Sequence, residues 1–266
     1  MPSKPKPEVP MLVWQSLLAA VLLSLWQWCA TTGFLDSFFF SRPSDIAWRV
    51  WMLFRNGTVW SDLATTLLEA SLSFGIGVLS GVVSGFLLAR HRWAAGLFDP
   101  FLRVANALPR VVLAPIFLLW FGLGIWSKVA LGVTVVFFIV FYNTYQGVRE
   151  VDPVLLHNAR ILGATERQLV RHVLIPSALT WIFSSLHVSI GLAIISVVIG
   201  EYLGSSRGIG YMIAQAEGVF DTTGVFAGLT ILSAVVLLVS AGVNRLERWL
   251  LRWKSSSQSV EHHEYA

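Results

Sequence analysis

The sequence is poor in charged residues. Only 13% of its 266 residues are Asp, Glu, Lys or Arg, whereas soluble globular domains carry roughly 25%. Hydrophobic residues make up 55% of the chain, and the mean hydropathy is +0.68. This amount of charge is too small to cover a globule of this size, so we expect lipid to solvate much of the surface.

Cysteine and lysine are also scarce. Cys29 is the single cysteine, which excludes an internal disulfide and argues against a thiolate metal site. None of the lysines follows a glycine, so the phosphate-binding motif G-x4-GK[ST] is missing. His262 and His263 offer two metal ligands at most, too few for a metal site. We therefore expect no catalytic residues, no bound metal and no nucleic-acid partner.

Apolar segments long enough to cross ~30 Å of hydrocarbon recur along the chain. They predict an all-α polytopic membrane bundle. Its six spans are residues 12–30, 63–89, 111–121 (extended backward through Asn106 and broken by Pro109 and Pro115), 129–145, 177–200 and 225–243. Residues 1–61 would hold a tail, the first span and an outer loop, residues 62–250 the core domain, and residues 251–266 a second tail. A cleaved signal peptide is the alternative at the amino terminus, but no convincing A-x-A site follows its apolar run.

The placement of Lys and Arg predicts the orientation. If the amino terminus is cytoplasmic, 14 of the 19 Lys and Arg residues fall on cytoplasmic segments, as the positive-inside rule requires. Both termini and the polar insert 151–176 are then cytoplasmic. The outer loop 36–62 is expected to be partly helical along the membrane surface, with Ser44 as the N-cap of its helix.

Capping signals divide the insert 151–176 into two short helices. Asp152 followed by Pro153 is typical of a helix start, and Gly163 is typical of a helix end. Residues 165–168 form a capping-box pattern that starts a second helix, and Pro176 marks its junction with the fifth span. By pattern alone, an ordinary amphipathic connector on the membrane surface explains the insert equally well.

Small residues recur at every fourth position of the second span, and this spacing places them on one helical face. Small residues on one face allow another helix to approach closely in lipid. The stripe consists of Ser73, Gly77, Gly81 and Gly85. It predicts a helix-packing interface, without indicating the partner helix.

Five residues are candidates for the pathway or its gate, because they are prolines or polar groups inside predicted spans. They are Pro109, Pro115, Ser185, His187 and Ser189. For His187, contact with the solute or proton transfer stands beside a hydrogen bond to a neighbouring helix. For the serines, routine helix contacts are the alternative. Glu69 is expected to lie near the outer interface and to reach water.

The insert resembles a known loop. It reads HNA-x3-G-x9-V-L-I-P from His157 to Pro176, and the EAA loop of ATP-binding cassette (ABC) importer permeases reads EAA-x3-G-x9-I-x-L-P. Ala159, Gly163 and Pro176 match that pattern, together with both intervals. His157 and Asn158 depart from it, because Glu and Ala are usual there, so a Glu-specific contact to the ATPase is not assumed.

A pattern in the third span is similar to one branch of that family. It reads P-x5-P-x4-WFG-x-G from Pro109 to Gly124, and the branch imports nitrate, aliphatic sulfonates, taurine and related small compounds. The resemblance covers residues 62–254. It implies a type I importer permease that forms the pathway for a small organic or inorganic solute.

The resemblance also implies partners. A periplasmic binding protein would deliver the solute, a second and identical permease chain would complete the pathway, and separate ATPase subunits would bind ATP and Mg, so this chain itself would bind no cofactor. The complex would reside in the bacterial inner membrane. The residues implied in coupling to the ATPase are Asp152, Leu155, His157, Asn158, Ala159, Arg160, Gly163 and Ala164.

Two other functions remain open. A secondary carrier would work without an ATPase, and it is expected to show intramembrane charges or an inverted repeat. The sequence shows neither an evident repeat nor a charge placed deep in a predicted span. A membrane scaffold that transports nothing is the other alternative.

Overall fold

The computed structural model describes residues 11–250, and within that range the chain is helical without strands. The helices are α1 (Met11–Thr31), α2 (Ser37–Phe40), α3 (Pro43–Arg55), α4 (Thr58–Arg90), α5 (Arg92–Ala107), α6 (Arg110–Phe121), α7 (Ile125–Arg149), α8 (Pro153–Ile161), α9 (Glu166–Leu169), α10 (Ile175–Leu203), α11 (Ile209–Gly218) and α12 (Thr222–Leu250). A π-helical turn, Val170–Leu174, joins α9 to α10. The predicted tails 1–10 and 251–266 lie outside the described residues.

The all-α membrane bundle predicted from the sequence is confirmed. Within residues 11–250, five helical segments are long and apolar enough to cross a membrane: α1, α4, α7, the continuous run Glu166–Leu203, and α12. The third span predicted from the sequence is the sixth candidate for crossing the membrane. It consists of α5 and α6, which meet at an angle of 93°.

The bend lies at Pro109, one of the two prolines at which the sequence predicts a break. Leu108 has an extended backbone, with φ −65° and ψ 130°, because the residue before a proline is disfavoured in the α region. The chain therefore turns at Pro109. Pro115 lies within α6, which continues to Phe121, so the predicted break at Pro115 is wrong. With 12 residues α6 is about 18 Å long, too short to cross the bilayer alone.

The second helix of the insert is continuous with the fifth span, and the predicted junction at Pro176 lies within one residue of the start of α10 at Ile175. A single helical run extends from Glu166 to Leu203. Pro176 lacks an amide hydrogen and crowds the preceding turn. The wider π-helical turn directly before it, in which the Ile175 amide bonds to the Val170 carbonyl, accommodates that defect.

The outer loop contains two helices, and its predicted cap is wrong. Arg42, not Ser44, occupies the N-cap of α3, and Pro43 follows it. Ser44 lies inside the first turn, where its amide donates to Gln27 Oε1 at 3.1 Å. Proline at the first helical position fixes the start of α3, which leaves Ser44 to tie α3 to α1.

The core of the bundle is the contact of α4 with α7 and α10. The small-residue stripe on α4 is buried and faces α7 in constant register: Ser73 lies against Gly132, Gly77 against Val136, Gly81 against Val140 and Gly85 against Thr144. A Cβ atom built on Gly81 would lie 2.9 Å from the Phe137 carbonyl oxygen. The backbones therefore meet without room for a side chain, and α7 runs parallel to α4.

The close contact predicts opposite effects of one substitution at two glycines of α4. Gly81→Ala should lower the thermal stability of the purified protein, because the added methyl meets backbone atoms of α7. Gly75→Ala is the matched control, since Gly75 is exposed with nothing within 4 Å and alanine favours helix by up to about 1 kcal/mol. It should leave the melting temperature equal or raise it. Equal melting temperatures for the two variants would contradict this packing.

Candidate functional site

The insert between α7 and α10 begins with a short, exposed helix. None of the residues of α8 is buried. The Asp152 carboxylate accepts a hydrogen bond from the Val154 amide at 2.7 Å, so the helix start is capped. Apolar side chains are nevertheless exposed on and just after α8, including Leu155 and Leu162, of which Leu162 is 86% exposed. An exposed helix with uncovered apolar side chains is suited to contact another protein.

The end of α8 is a complete Schellman motif. The Ala164 amide donates to the Ala159 carbonyl and the Gly163 amide to the Arg160 carbonyl, each at 3.0 Å. Gly163 has φ +86°, a backbone conformation that glycine adopts without steric cost. The geometry of the turn thus explains the glycine at position 163.

The segment after this turn is fixed to the bundle. Thr165 and Gln168 form a reciprocal capping box at the start of α9. Glu166 binds Arg160 of α8 at 3.1 Å and lies 3.8 Å from Arg90 at the end of α4, and Leu169 is buried. The insert is therefore an exposed helix on a rigid turn, connected to α4 and α10.

The remaining residues expected to couple to the ATPase lie either on the exposed helix α8 or at the turn that ends it. His157, Asn158 and Arg160 are exposed on α8, whereas Ala159 and Ala164 are half-buried at the turn. The structure thus brings the predicted residues of the insert together on one short element.

The predicted pathway residues do not share a face. Ser185 and Ser189 are buried, and their hydroxyls donate to the carbonyls of Ile182 and Ser185 of the same helix at 2.7 Å. His187 lies on the exposed side of α10. The serines therefore lie in a helix contact, while Pro109 sets the bend before α6.

At the opposite end of the bundle, three ionisable side chains from three different helices are buried together. Glu69 of α4 is 1% exposed, and Lys128 of α7 and Glu201 of α10 are fully buried. The expectation that Glu69 reaches water is wrong. Lys128 Nζ donates to the carbonyls of Leu123 (2.5 Å) and Gly124 (3.0 Å) after α6, and its charge interacts with both carboxyl groups.

Glu201 of this cluster, together with Asp62 and Thr66 of α4, holds the start of α11. Three consecutive amides find side-chain acceptors: Gly208 on Asp62 Oδ1 (2.9 Å), Ile209 on Thr66 Oγ1 (2.9 Å) and Gly210 on Glu201 Oε2 (2.8 Å). The amides at a helix start lack partners within the helix, and acidic groups are favourable there. Side chains from α4 and α10 thus fix α11 across the end of the bundle.

Gly208 makes this approach possible. A Cβ atom at this position would lie 2.2 Å from the Glu201 carboxyl carbon, and the residue has φ +109°. The sequence contains both Glu201 and the later G-x-G, but no local pattern links them, and the predicted span ended one residue before Glu201. Among residues 11–250, no group of three or more His, Cys, Asp or Glu is arranged to hold a metal ion.

The family described as binding-protein-dependent transport system inner membrane component matches residues 77–253. The chain belongs to this family. The match includes α8, the glycine turn and the fixed start of α11, and it confirms the resemblance found in the insert.

Individual relatives agree with this assignment. The chain is 34% identical to a putative aliphatic sulfonates transport permease, SsuC, of Bacillus subtilis, over 90% of this chain and 87% of the relative. It is 33% identical to the riboflavin transport system permease RibX of Chloroflexus aurantiacus, over 89% and 88%. It is 28% identical to the taurine transport system permease TauC of Escherichia coli, over 90% and 89%.

Solved structures share the fold. A chain of an amino acid ABC transporter superposes with a TM-score of 0.60 at 22% identity, covering 76% of this chain and 96% of that one. A chain of the inward-facing MetNI methionine ABC transporter superposes with a TM-score of 0.54 at 22% identity, covering 74% and 95%.

Neighbouring threonines of α4 test how α11 is held. Thr66→Val should expose the amides of residues 208–210 to faster hydrogen exchange and destabilise the protein by about 1–3 kcal/mol, because a buried amide and a carboxylate lose their partner. Thr65→Val is the matched control, since Thr65 bonds only to the Ser61 carbonyl of its own helix. Unchanged exchange at residues 208–210 in Thr66→Val would refute this anchoring.

Proposed function

We propose that the chain is the permease subunit of an ATP-driven importer, in which separate ATPase subunits bind α8. The observation that carries the proposal is the exposed helix α8 on a fixed turn. Its start is capped by Asp152 and its end is closed by the turn at Gly163. A short helix closed at both ends moves as one body, whereas a flexible loop would absorb the displacement that a moving ATPase imposes.

The connections of α8 give that displacement a route into the bundle. Glu166 links the end of α8 to α4 through Arg160 and Arg90, and the helix that starts at Glu166 continues to Leu203. Movement of the ATPase subunits on ATP binding would thus shift α10 directly. For the cycle to pump, the affinity for the solute must differ between the inward and outward states.

The remaining parts of the proposal concern location and assembly. The end of the bundle that carries Arg90, Arg149 and α8 is proposed to face the cytoplasm, since Lys and Arg are enriched there. α11 would then lie at the outer face, where a periplasmic binding protein delivers the solute. A second, identical permease chain would complete the pathway in the bacterial inner membrane.

The proposed solute is a small organic sulfonate or a related compound. Two of the three relatives named above are described as permeases for sulfonates or taurine. The riboflavin permease is almost as similar as the Bacillus sulfonate permease. The permease sequence therefore restricts the range of candidate solutes less than the identity of its binding protein would.

A secondary carrier is the second candidate, and the buried cluster of Glu69, Lys128 and Glu201 is the observation that favours it. Against it, the Glu201 carboxylate is occupied by Thr66 and the Gly210 amide. Reconstitution in vesicles separates the two functions. The importer requires the ATPase, ATP and the binding protein for uptake of a sulfonate such as taurine, whereas uptake by this chain alone in an ion gradient would establish the carrier.

The turn at Gly163 provides the sharpest test of ATPase coupling. Gly163→Val should strongly reduce ATPase activity stimulated by the loaded binding protein, because a β-branched residue at φ +86° distorts the end of α8. Gly163→Asn is the matched control, since asparagine tolerates this conformation, and it should retain most activity. The space around Gly163 is open, so both variants should fold. Normal stimulated activity in folded Gly163→Val would contradict the docking role.

A further inference from the structure

A basic cavity lies between α5 and the end of α7. Its volume is about 510 Å³. Seven residues line it: Arg92, Ala95, Gly96, Asp99, Arg103, Tyr145 and Arg149. The cavity lies at the same end of the bundle as α8, because Arg149 is the last residue of α7.

Helical spacing creates this cavity. Arg92, Gly96, Asp99 and Arg103 follow one another at intervals of four, three and four residues, so they share one face of α5. Tyr145 and Arg149 are one turn apart on α7. Nothing lies within 4 Å of the position of a Cβ atom on Gly96, which leaves the space between the two helices open.

The positive charge of the cavity is only partly compensated. Asp99 is its single acidic residue and binds Arg103 at 2.8 Å. Within residues 11–250, neither Arg92 nor Arg149 forms an ion pair with an acidic side chain. The Arg149 guanidinium donates to the Tyr145 hydroxyl and lies 5.3 Å from the centre of its ring. Arg149 is therefore oriented by an uncharged group, and the cavity keeps two unpaired positive charges.

We propose that this cavity binds a tetrahedral oxyanion group, the phosphate of a lipid headgroup or the sulfonate of a small solute. Guanidinium groups present several donors in a planar arrangement that matches such oxyanions. Basic pockets between helices at the cytoplasmic side of membrane proteins bind lipid phosphates. The oxyanion site follows from the cavity itself, and the lipid source rests in addition on the proposed cytoplasmic position of this end.

The surface beside the cavity shows how a lipid would be accommodated. An exposed apolar stripe runs along α5 next to the basic face: Trp93, Leu97, Phe101 and Val104. Acyl chains on that stripe would place a headgroup phosphate at the cavity. A soluble sulfonate would need only the guanidinium groups, so the two sources can be distinguished.

The test uses the full-length chain, purified in detergent and stripped of lipid. One arm measures binding of phosphatidylglycerol by native mass spectrometry, with phosphatidylethanolamine for comparison. The other arm measures binding of radiolabelled ethanesulfonate by equilibrium dialysis. The variant Arg92→Gln/Arg149→Gln removes both unpaired charges, and Arg55→Gln/Arg207→Gln removes two exposed arginines elsewhere as the matched control.

We expect the unmodified chain to bind phosphatidylglycerol or ethanesulfonate, and the Arg92→Gln/Arg149→Gln variant to bind it at least about tenfold more weakly, because it loses charge-assisted hydrogen bonds. The control should bind like the unmodified chain. Asp99→Asn should bind more tightly, since it removes the only negative charge from the cavity. Lipid binding alone assigns a headgroup site, and ethanesulfonate binding alone assigns a solute site. Absence of both, or equal binding by all variants, would overturn the proposal.

Discussion

The contact between α4 and α7 is the constraint on which the other features depend. Gly77, Gly81 and Gly85 leave no room for a side chain, because backbone and Cβ atoms of α7 occupy that space, and one turn earlier Ser73 lies against Gly132 of α7. Lipid provides no hydrophobic drive for helices to associate, so close backbone packing must hold them together. α10 packs across the same pair through its own buried serines and alanines. The three helices form the packed core on which both ends of the molecule are built.

The two ends use this packed core in different ways. At one end, three side chains of α4 and α10 accept hydrogen bonds from the amides that start α11: Asp62, Thr66 and Glu201. At the other end, Arg90 of α4 and the continuous helix through Leu169 support the turn below α8. Both ends are therefore attached to the same two helices. A shift of α10 relative to α4 at the α8 end would alter the geometry at the α11 end, as a transporter that alternates between two faces requires.

The features that the sequence could predict are those that depend on local pattern. Apolar length located the spans, four-residue spacing found the packing face of α4, and the caps at Asp152 and Thr165 located the helices of the insert. The remaining features depend on contacts between helices that are distant in the sequence. Glu69 lies near the end of a span, where a carboxylate could equally well reach water. In the structure it is buried together with Lys128 and Glu201, which belong to other helices.

The three prolines show the same limit. Pro109, Pro115 and Pro176 share the same local chemistry, yet one turns the chain, one lies within a helix and one follows a π-helical turn. What differs is the backbone before each proline and how the neighbouring turns compensate for the missing amide hydrogen. The local pattern around each proline does not show that compensation.

The insert departs from the usual EAA pattern at His157 and Asn158, and these departures leave the geometry of the turn intact. The hydrogen bonds that end α8 involve the backbone at 159, 160, 163 and 164, and the conformation of the turn depends on Gly163. The side chains of His157 and Asn158 take no part in these bonds and are exposed on the helix surface, while the Asn158 backbone carbonyl accepts a hydrogen bond from the Leu162 amide at 3.0 Å. Selection for the fold therefore places little restriction on these two positions. If separate ATPase subunits bind α8 as proposed, the surface of the ATPase would set the identity of these two residues, and that surface should carry substitutions complementary to them.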